Sequence, residues 1–205
     1  MNLSYLLPFS TIPVFFAEKK FLAAESALGL YPSWMYGMSQ VVLKFIFLTV
    51  ASIVEAIIVI PMCGLTNPSV PYAVNFLTVT SILIVSGLVG CNMVLCASMW
   101  LKSQDVAFIV ASTGVTISLA LSGGFLPFAD MYGVASALQW ISPIKYSFQA
   151  ITISQFEGTS AEKVIDIAGY NTPASIAGNL WVLIGFFLAL SLLTVFGMTR
   201  VKEGR

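Results

Sequence analysis

Long apolar runs, separated by short polar or helix-stopping breaks, organise this chain from end to end. Five apolar segments stand out: Leu3–Phe16, Met35–Ile60, Tyr72–Trp100, Val106–Leu126 and Ile176–Met198. A helix needs about 20 apolar residues to cross a bilayer, so the last four can span and the first is partial. Pro8 and Pro13 lie in that partial segment, where a bilayer helix tolerates them as kinks. The breaks fall at Glu18–Ser33, Pro61–Pro71, Leu101–Asp105 and Pro127–Pro173. The pattern predicts an all-α membrane protein, a polytopic helical bundle. No basic leader precedes Leu3 and no small-residue cleavage site follows Phe16, so the short first segment reads as a truncated amino end rather than a signal peptide.

Within the long break, Met131–Phe156 interleaves Trp140, Tyr146, Phe148 and Phe156 with Gln139, Lys145 and Gln155. Such a stretch predicts a helix lying in, or dipping into, one leaflet, with aromatics at the headgroup level. Ser142-Pro143 marks its expected break. Orientation follows from the basic residues. By alternation Lys19, Lys20, Lys102, Arg200, Lys202 and Arg205 share one side, six of the nine Lys and Arg. Lys145 and Lys163 fall opposite, and Lys44 falls within a span. The six-residue side is expected to be cytoplasmic. That places segment 17–33 and the tail 199–205 inside, and segment 127–175 outside.

Composition sharpens the picture. Hydrophobic residues make up 58% of the 205 and charged ones 9%, with a mean hydropathy of +0.94. A soluble domain carries about 25% charged residues, so this surface faces lipid. Nine basic and nine acidic residues cancel, leaving no basic field for nucleic acid. There is no histidine, and Cys63, Cys91 and Cys96 are the only thiols, so neither imidazole chemistry nor a zinc set is available. An intramembrane enzyme needs a catalytic pair at membrane depth, and Asp105, Asp130 and Asp166 all lie outside the apolar runs.

Several motifs need weighing. Leu121-Ser122-Gly123-Gly124 repeats the first four residues of the ATP-binding-cassette signature. Here it ends a span, and no Gly-x-x-x-x-Gly-Lys-Ser/Thr loop occurs in the chain, so nothing in it binds ATP. Ser112, Thr116, Ala120 and Gly124 recur every four residues, a small and weakly polar stripe suited either to close helix packing or to a cavity wall. Ser86-x-x-x-Gly90 is the same kind of signal. Lys44 and Glu55 are the charges deep in a span. Each serves a function or reaches an interface by snorkelling. Asn2-Leu3-Ser4 lies at a membrane end and Asn67-Pro68-Ser69 is disqualified as a glycosylation site by its proline.

The order of features resembles one known family. Phe15-Phe16-Ala17-Glu18-Lys19-Lys20 ends a span, followed by Gly29-Leu30-Tyr31 and Tyr36. Later come Leu121-Ser122-Gly123-Gly124-Phe125, then the run Gln139 to Ala150 (QWISPIKYSFQA), then Gln155-Phe156-Glu157-Gly158. This is similar to the ABC-2-type (type V exporter) transmembrane domain of G-subfamily ATP-binding-cassette transporters, of the White and pleiotropic-drug-resistance type. The resemblance implies spans two to six of a six-helix domain with an outer re-entrant helix. It also implies dimers of such halves, a cavity on the two-fold axis, and cargo that is lipid, sterol or amphipathic. ATP and Mg would be used by a nucleotide-binding domain supplied in cis or by a partner chain. On the same resemblance Tyr5, Leu6, Phe9, Ser112, Thr116 and Leu119 match the cavity wall, and Gly124 and Phe125 the plug above it. Glu18, Lys19, Lys20 and Glu25 match the turn coupled to the ATPase domain. Lys44 and Phe47 depart from the acidic residue and proline often found in the third span. Pro13 replaces an acidic residue and Leu6 an aromatic clamp in the second. The expected function is the permease part of an ATP-driven exporter. The alternative is a non-transporting membrane partner that modulates a complete transporter.

Overall fold

A computed structural model describes residues 5, 7–28, 33–124, 128, 133–159, 163, 165, 169 and 175–202. All regular structure among them is helical. A 3-10 turn at Leu7–Ser10 leads into α1 (Thr11–Ala27). Pro13 sits in the first turn of α1, where its missing N–H needs no intrahelical partner. Thr11 Oγ1 donates to the carbonyl of Pro8 at 2.6 Å. The prolines therefore mark a change from 3-10 to α winding rather than a mid-helix kink. Beyond them α1 runs unbroken through Glu18, across the boundary that polarity had suggested.

The next helix, α2 (Ser33–Cys63), ends on Gly64, whose φ of +62° suits glycine. Leu65 N–H donates to the Ile60 carbonyl at 3.0 Å, closing the turn as a Schellman motif. Then come α3 (Tyr72–Trp100) and α4 (Gln104–Ala120). Ser103 caps α4 by accepting from Val106 N–H at 3.4 Å. This helix stops six residues short of the apolar run. Its 17 residues reach about 25 Å at 1.5 Å each, and Gly123 at φ +81° turns the chain after it. A short helix α5 (Val134–Leu138) and a 3-10 turn at Gln139–Ile141 follow. Ser142 then caps α6 (Pro143–Phe156), with Pro143 in its first turn. Finally α7 (Ile176–Lys202) closes the chain.

Among the described residues, three stretches are long and apolar enough to cross a membrane: Ser39–Cys63, Tyr72–Trp100 and Ile176–Gly197. Their surroundings differ sharply. Within its most apolar window α3 is 72% buried, against 28% for α2 and 17% for α7. The central helix is therefore α3, and the others wrap it. Ile12 of α1 packs with Val94 of α3 and with Ala107 and Ala111 of α4. Ala56 and Ile60 of α2 meet Val79 and Leu83. Tyr146 of α6 and Leu183 of α7 meet Val89. Outward, α2 exposes Leu43, Ile46, Phe47 and Val50, each more than half accessible. Such a face is stable only against hydrocarbon or another apolar surface. The protein is an integral membrane bundle.

The polar residues of α6 turn inward. Its polar residues Lys145, Gln149 and Gln155 are buried, while Trp140 and Ile141 before it are exposed. It packs between α3 and α7, polar side inward. That side meets partners. Gln155 Nε2 donates to Asn75 Oδ1 at 2.9 Å, and Asn75 Nδ2 donates to the Leu65 carbonyl at 2.8 Å. Asn67 Nδ2 donates to the carbonyls of Ser154 (3.1 Å) and Glu157 (3.0 Å), satisfying the carboxyl end of α6.

Candidate functional site

Of the residues expected to wall a cavity, Ser112, Thr116 and Leu119 lie on α4, Phe9 on the turn leading into α1 and Tyr5 before that turn. Phe9 touches the α4 ring of Phe108 edge-on, with centroids 5.5 Å apart. Tyr5 is buried: its hydroxyl lies 3.4 Å from Ser147 Oγ of α6, and its ring lies against Gly90 of α3. A Cβ at position 90 would come within 2.8 Å of that ring, so the small residue there admits an aromatic neighbour. Leu6 and Phe125 lie outside the described residues.

On α4, Ser112 Oγ donates to the Ile109 carbonyl at 3.0 Å and Thr116 Oγ1 to the Ser112 carbonyl at 2.8 Å. Both hydroxyls are thus satisfied by their own helix. The resulting face is mildly polar, with Thr113, Thr116 and Ile117 exposed and Ser112 and Leu119 half-buried beside them. Gly124 is exposed, and a Cβ there would touch the Phe148 ring at 3.4 Å. The end of α4 is tied to α6, because Ser142 Oγ donates to the Ser118 carbonyl at 2.8 Å. A shift of α6 would therefore be felt at the α4 terminus.

The expected coupling residues lie from the middle of α1, at Glu18, toward its carboxyl end, at Glu25. Glu18 accepts from Gln40 Nε2 of α2 at 3.1 Å. Glu25 is half-buried, whereas the side chains of Lys19 and Lys20 lie outside the described residues. The two intramembrane charges have different surroundings. Glu55 is 5% exposed, packed inside the bundle. Lys44 is half-buried in a cleft between α1 and α2 that also holds Glu18 and Gln40. Cys63, Cys91 and Cys96 are free, with Cys63 exposed. Among the described residues no group of His, Cys, Asp or Glu could hold a metal ion.

A second lysine among the apolar helices, Lys145, is buried at 3% exposed, and no motif marked it. Its ammonium lies 3.7 Å from the Trp140 ring centroid, 4.8 Å from that of Phe128 and 5.6 Å from that of Tyr146. Aromatic faces stabilise the cation there, yet loss of water still pushes its pKa down to about 8. Tyr146 Oη donates to the Trp140 carbonyl at 3.0 Å and fixes two walls of this box. The aromatic spacing around Lys145 was the available signal.

Comparison with known proteins agrees with this architecture. ABC transporter G family member 12 of Dictyostelium discoideum is 24% identical over 157 residues, covering 77% of this chain and 24% of that protein. Member 8 of the same organism is 21% identical over an alignment of 217 residues, covering 97% of the chain and 33% of that protein. ABC transporter G family member 42 of Oryza sativa subsp. japonica is 27% identical over 151 residues, covering 73% of the chain and 9% of that protein. The chain thus spans a third or less of the length of these relatives. The model of the ABC-2 type transporter family matches residues 1–156, through the end of α6. With a helical membrane bundle beneath it, that match places the chain in the ABC-2 type transporter family, as a membrane domain similar to those of G-family ABC transporters.

Proposed function

We propose that residues 1–205 form the permease part of an ATP-driven exporter that moves lipids, sterols or amphipathic small molecules across a membrane. Two such halves pair, each served by a nucleotide-binding domain in the same polypeptide or in a partner chain. That domain, outside residues 1–205, uses ATP and Mg. The carboxyl terminus is cytoplasmic. The α1 segment bearing Glu18, Lys19, Lys20 and Glu25 receives the push of the nucleotide-binding domain, which α1 passes to α3 and α4 through the Ile12 cluster. The α4 face then changes its exposure from one side of the membrane to the other.

The observation that carries this reading is the α4 face itself, in a chain of this family. Its Ser112 and Thr116 hydroxyls are satisfied within their own helix, so at these positions an apolar molecule meets no unpaired donor, and a polar group on the cargo still finds accepting lone pairs. Such walls suit amphiphiles. The test is ATP-dependent transport by the complete protein in vesicles, comparing Thr116→Phe and Phe125→Ala with the parent. Thr116→Phe should block the cargo path, and Phe125→Ala should raise leak or widen cargo range. Unchanged transport in both variants would refute the cavity assignment. Binding to a complete transporter without transport of its own would favour a modulating partner instead.

A further inference from the structure

We propose that Lys145 is a positioning residue for transport: its ammonium clamps Phe128, and with it the turn that ends α4, onto α6. The transport part of this role rests on the exporter reading above. The ammonium faces three aromatic rings, with centroids at 3.7 Å (Trp140), 4.8 Å (Phe128) and 5.6 Å (Tyr146). All three lie within the distance of about 6 Å over which a ring face attracts a cation. A lysine that only snorkelled would carry its head out to water. This one is 3% exposed, so its head stays among the rings.

Two of the rings are fixed to the bundle by other contacts. Trp140 stands in the 3-10 turn before α6, and its carbonyl accepts from Tyr146 Oη at 3.0 Å. The Tyr146 ring lies 5.9 Å from that of Phe186 on α7, centroid to centroid, and packs with Val89 of α3. Phe128 belongs instead to the segment that leaves α4. Its ring lies on Gly123, where a Cβ would come within 2.6 Å of it, so the ring takes the space a side chain would need. The cation therefore joins a ring seated on the α4 turn to two rings seated on α6. A second tie lies on the other side of Gly123: Ser142 Oγ donates to the Ser118 carbonyl at 2.8 Å and accepts from Lys145 N–H at 3.4 Å. One tie alone would let the turn pivot at Gly123, the glycine with a φ of +81°. Ties at Ser118 and at Phe128 fix both its place and its direction. An apolar side chain could fill the box, but the ring faces attract a charge and not a methylene stem. The end of the α4 face thus takes its position from Lys145.

The test uses the full-length protein in nanodiscs, with backbone hydrogen exchange followed by mass spectrometry. The Leu121, Ser122 and Gly124 amides, each hydrogen-bonded within the turn, report on the clamp. Lys145→Met should speed their exchange about tenfold, the loss of one buried cation–ring contact. The amides of residues 152–156, at the end of α6 held by Asn67, should exchange as in the parent. Lys145→Arg should restore the parent rate, because a guanidinium also stacks on ring faces. Phe128→Leu should match Lys145→Met, and the double variant should be no faster than either, since both cut the same contact. In ATP-driven transport, Lys145→Met should lower the maximal rate with KM for cargo unchanged, and Lys145→Arg should transport like the parent. The clamp is overturned if either single substitution leaves the turn amides at the parent rate, if the amides of 152–156 speed up equally, or if the two substitutions add. A loosened turn with parent-like transport would overturn the positioning role. A parent that transports nothing would count against the exporter reading instead, and the exchange pattern would still decide the clamp.

Discussion

Replacing Asn67 by Ala should loosen the membrane-edge cap of the bundle by an amount the structure lets one work out. Asn67 is 4% exposed. Its amide donates to two carbonyls at the end of α6, and its Oδ1 accepts from Ser69 N–H at 2.9 Å. A net contribution of about 1 kcal/mol per hydrogen bond gives a loss of about 2–3 kcal/mol, the lower figure if water reaches one freed carbonyl. For a chain of this size that corresponds to a fall in Tm of about 5–10 °C. The assay is thermal unfolding in detergent, followed by tryptophan fluorescence and by loss of the monodisperse elution peak. Asn67→Asp separates the donors from the acceptor. It keeps the bond from Ser69 but sets a carboxylate against two carbonyl oxygens, so it should be at least as damaging at neutral pH. Acidification should return part of that loss, because a protonated carboxyl regains one donor. Ser69→Ala removes an exposed bond to the Gly158 carbonyl and serves as the mild control. If Asn67→Ala melted within about 1 °C of the parent, the carbonyls of α6 would have other partners and the cap would not be what this geometry indicates.

Two further outcomes can be checked in the same apparatus. Gly123 has a φ of +81°, and a Cβ there would lie 2.6 Å from the Phe128 ring, so Gly123→Ala should cost about 1–3 kcal/mol. Gly114→Ala, where nothing lies within 4 Å, should leave Tm unchanged or raise it. Lys145, pushed down to about 8 from 10.5, gives a pH signature. Between those values the unfolded chain holds a proton that the folded chain lacks, so stability should rise with pH through that window and stay flat below it. Lys145→Met should remove the slope, and a slope that survives the substitution would place its origin elsewhere.

How much of this was legible beforehand depends on which physical signal each feature left. Apolar run length announces a membrane helix because the bilayer sets it, so the polytopic helical class was readable from Met35–Ile60 or Tyr72–Trp100 alone. The burial of α6 was not. Interleaved aromatic and polar residues suggest a water-facing side, yet in a membrane bundle polar side chains can turn inward toward one another, as Gln155 does toward Asn75. Periodicity finds two faces and cannot say which is inside. The end of α4 was hidden for another reason: Leu121 and Leu126 continue the apolar run, and only the conformational freedom of Gly123 stops the helix. At the candidate site, Phe9 near α4 and Glu18 beside α2 followed a family pattern of loose motifs. The box around Lys145 left only the spacing of its neighbouring aromatics as a sign, and the Asn67 cap left none, since it joins residues about ninety positions apart.

The position of α7 has a consequence for how the protein is made. Asn92 of α3 donates from Nδ2 to Ser191 Oγ of α7 at 2.9 Å, and Leu183 is fully buried against Val89. Both partners are synthesised about a hundred residues after α3 has entered the bilayer. Until they emerge, the Asn92 amide and one flank of the central helix face lipid or a borrowed partner. Arrival of α7 is therefore the event that covers this flank, and a polypeptide stopped before residue 176 would expose to membrane surveillance a polar group that α7 conceals.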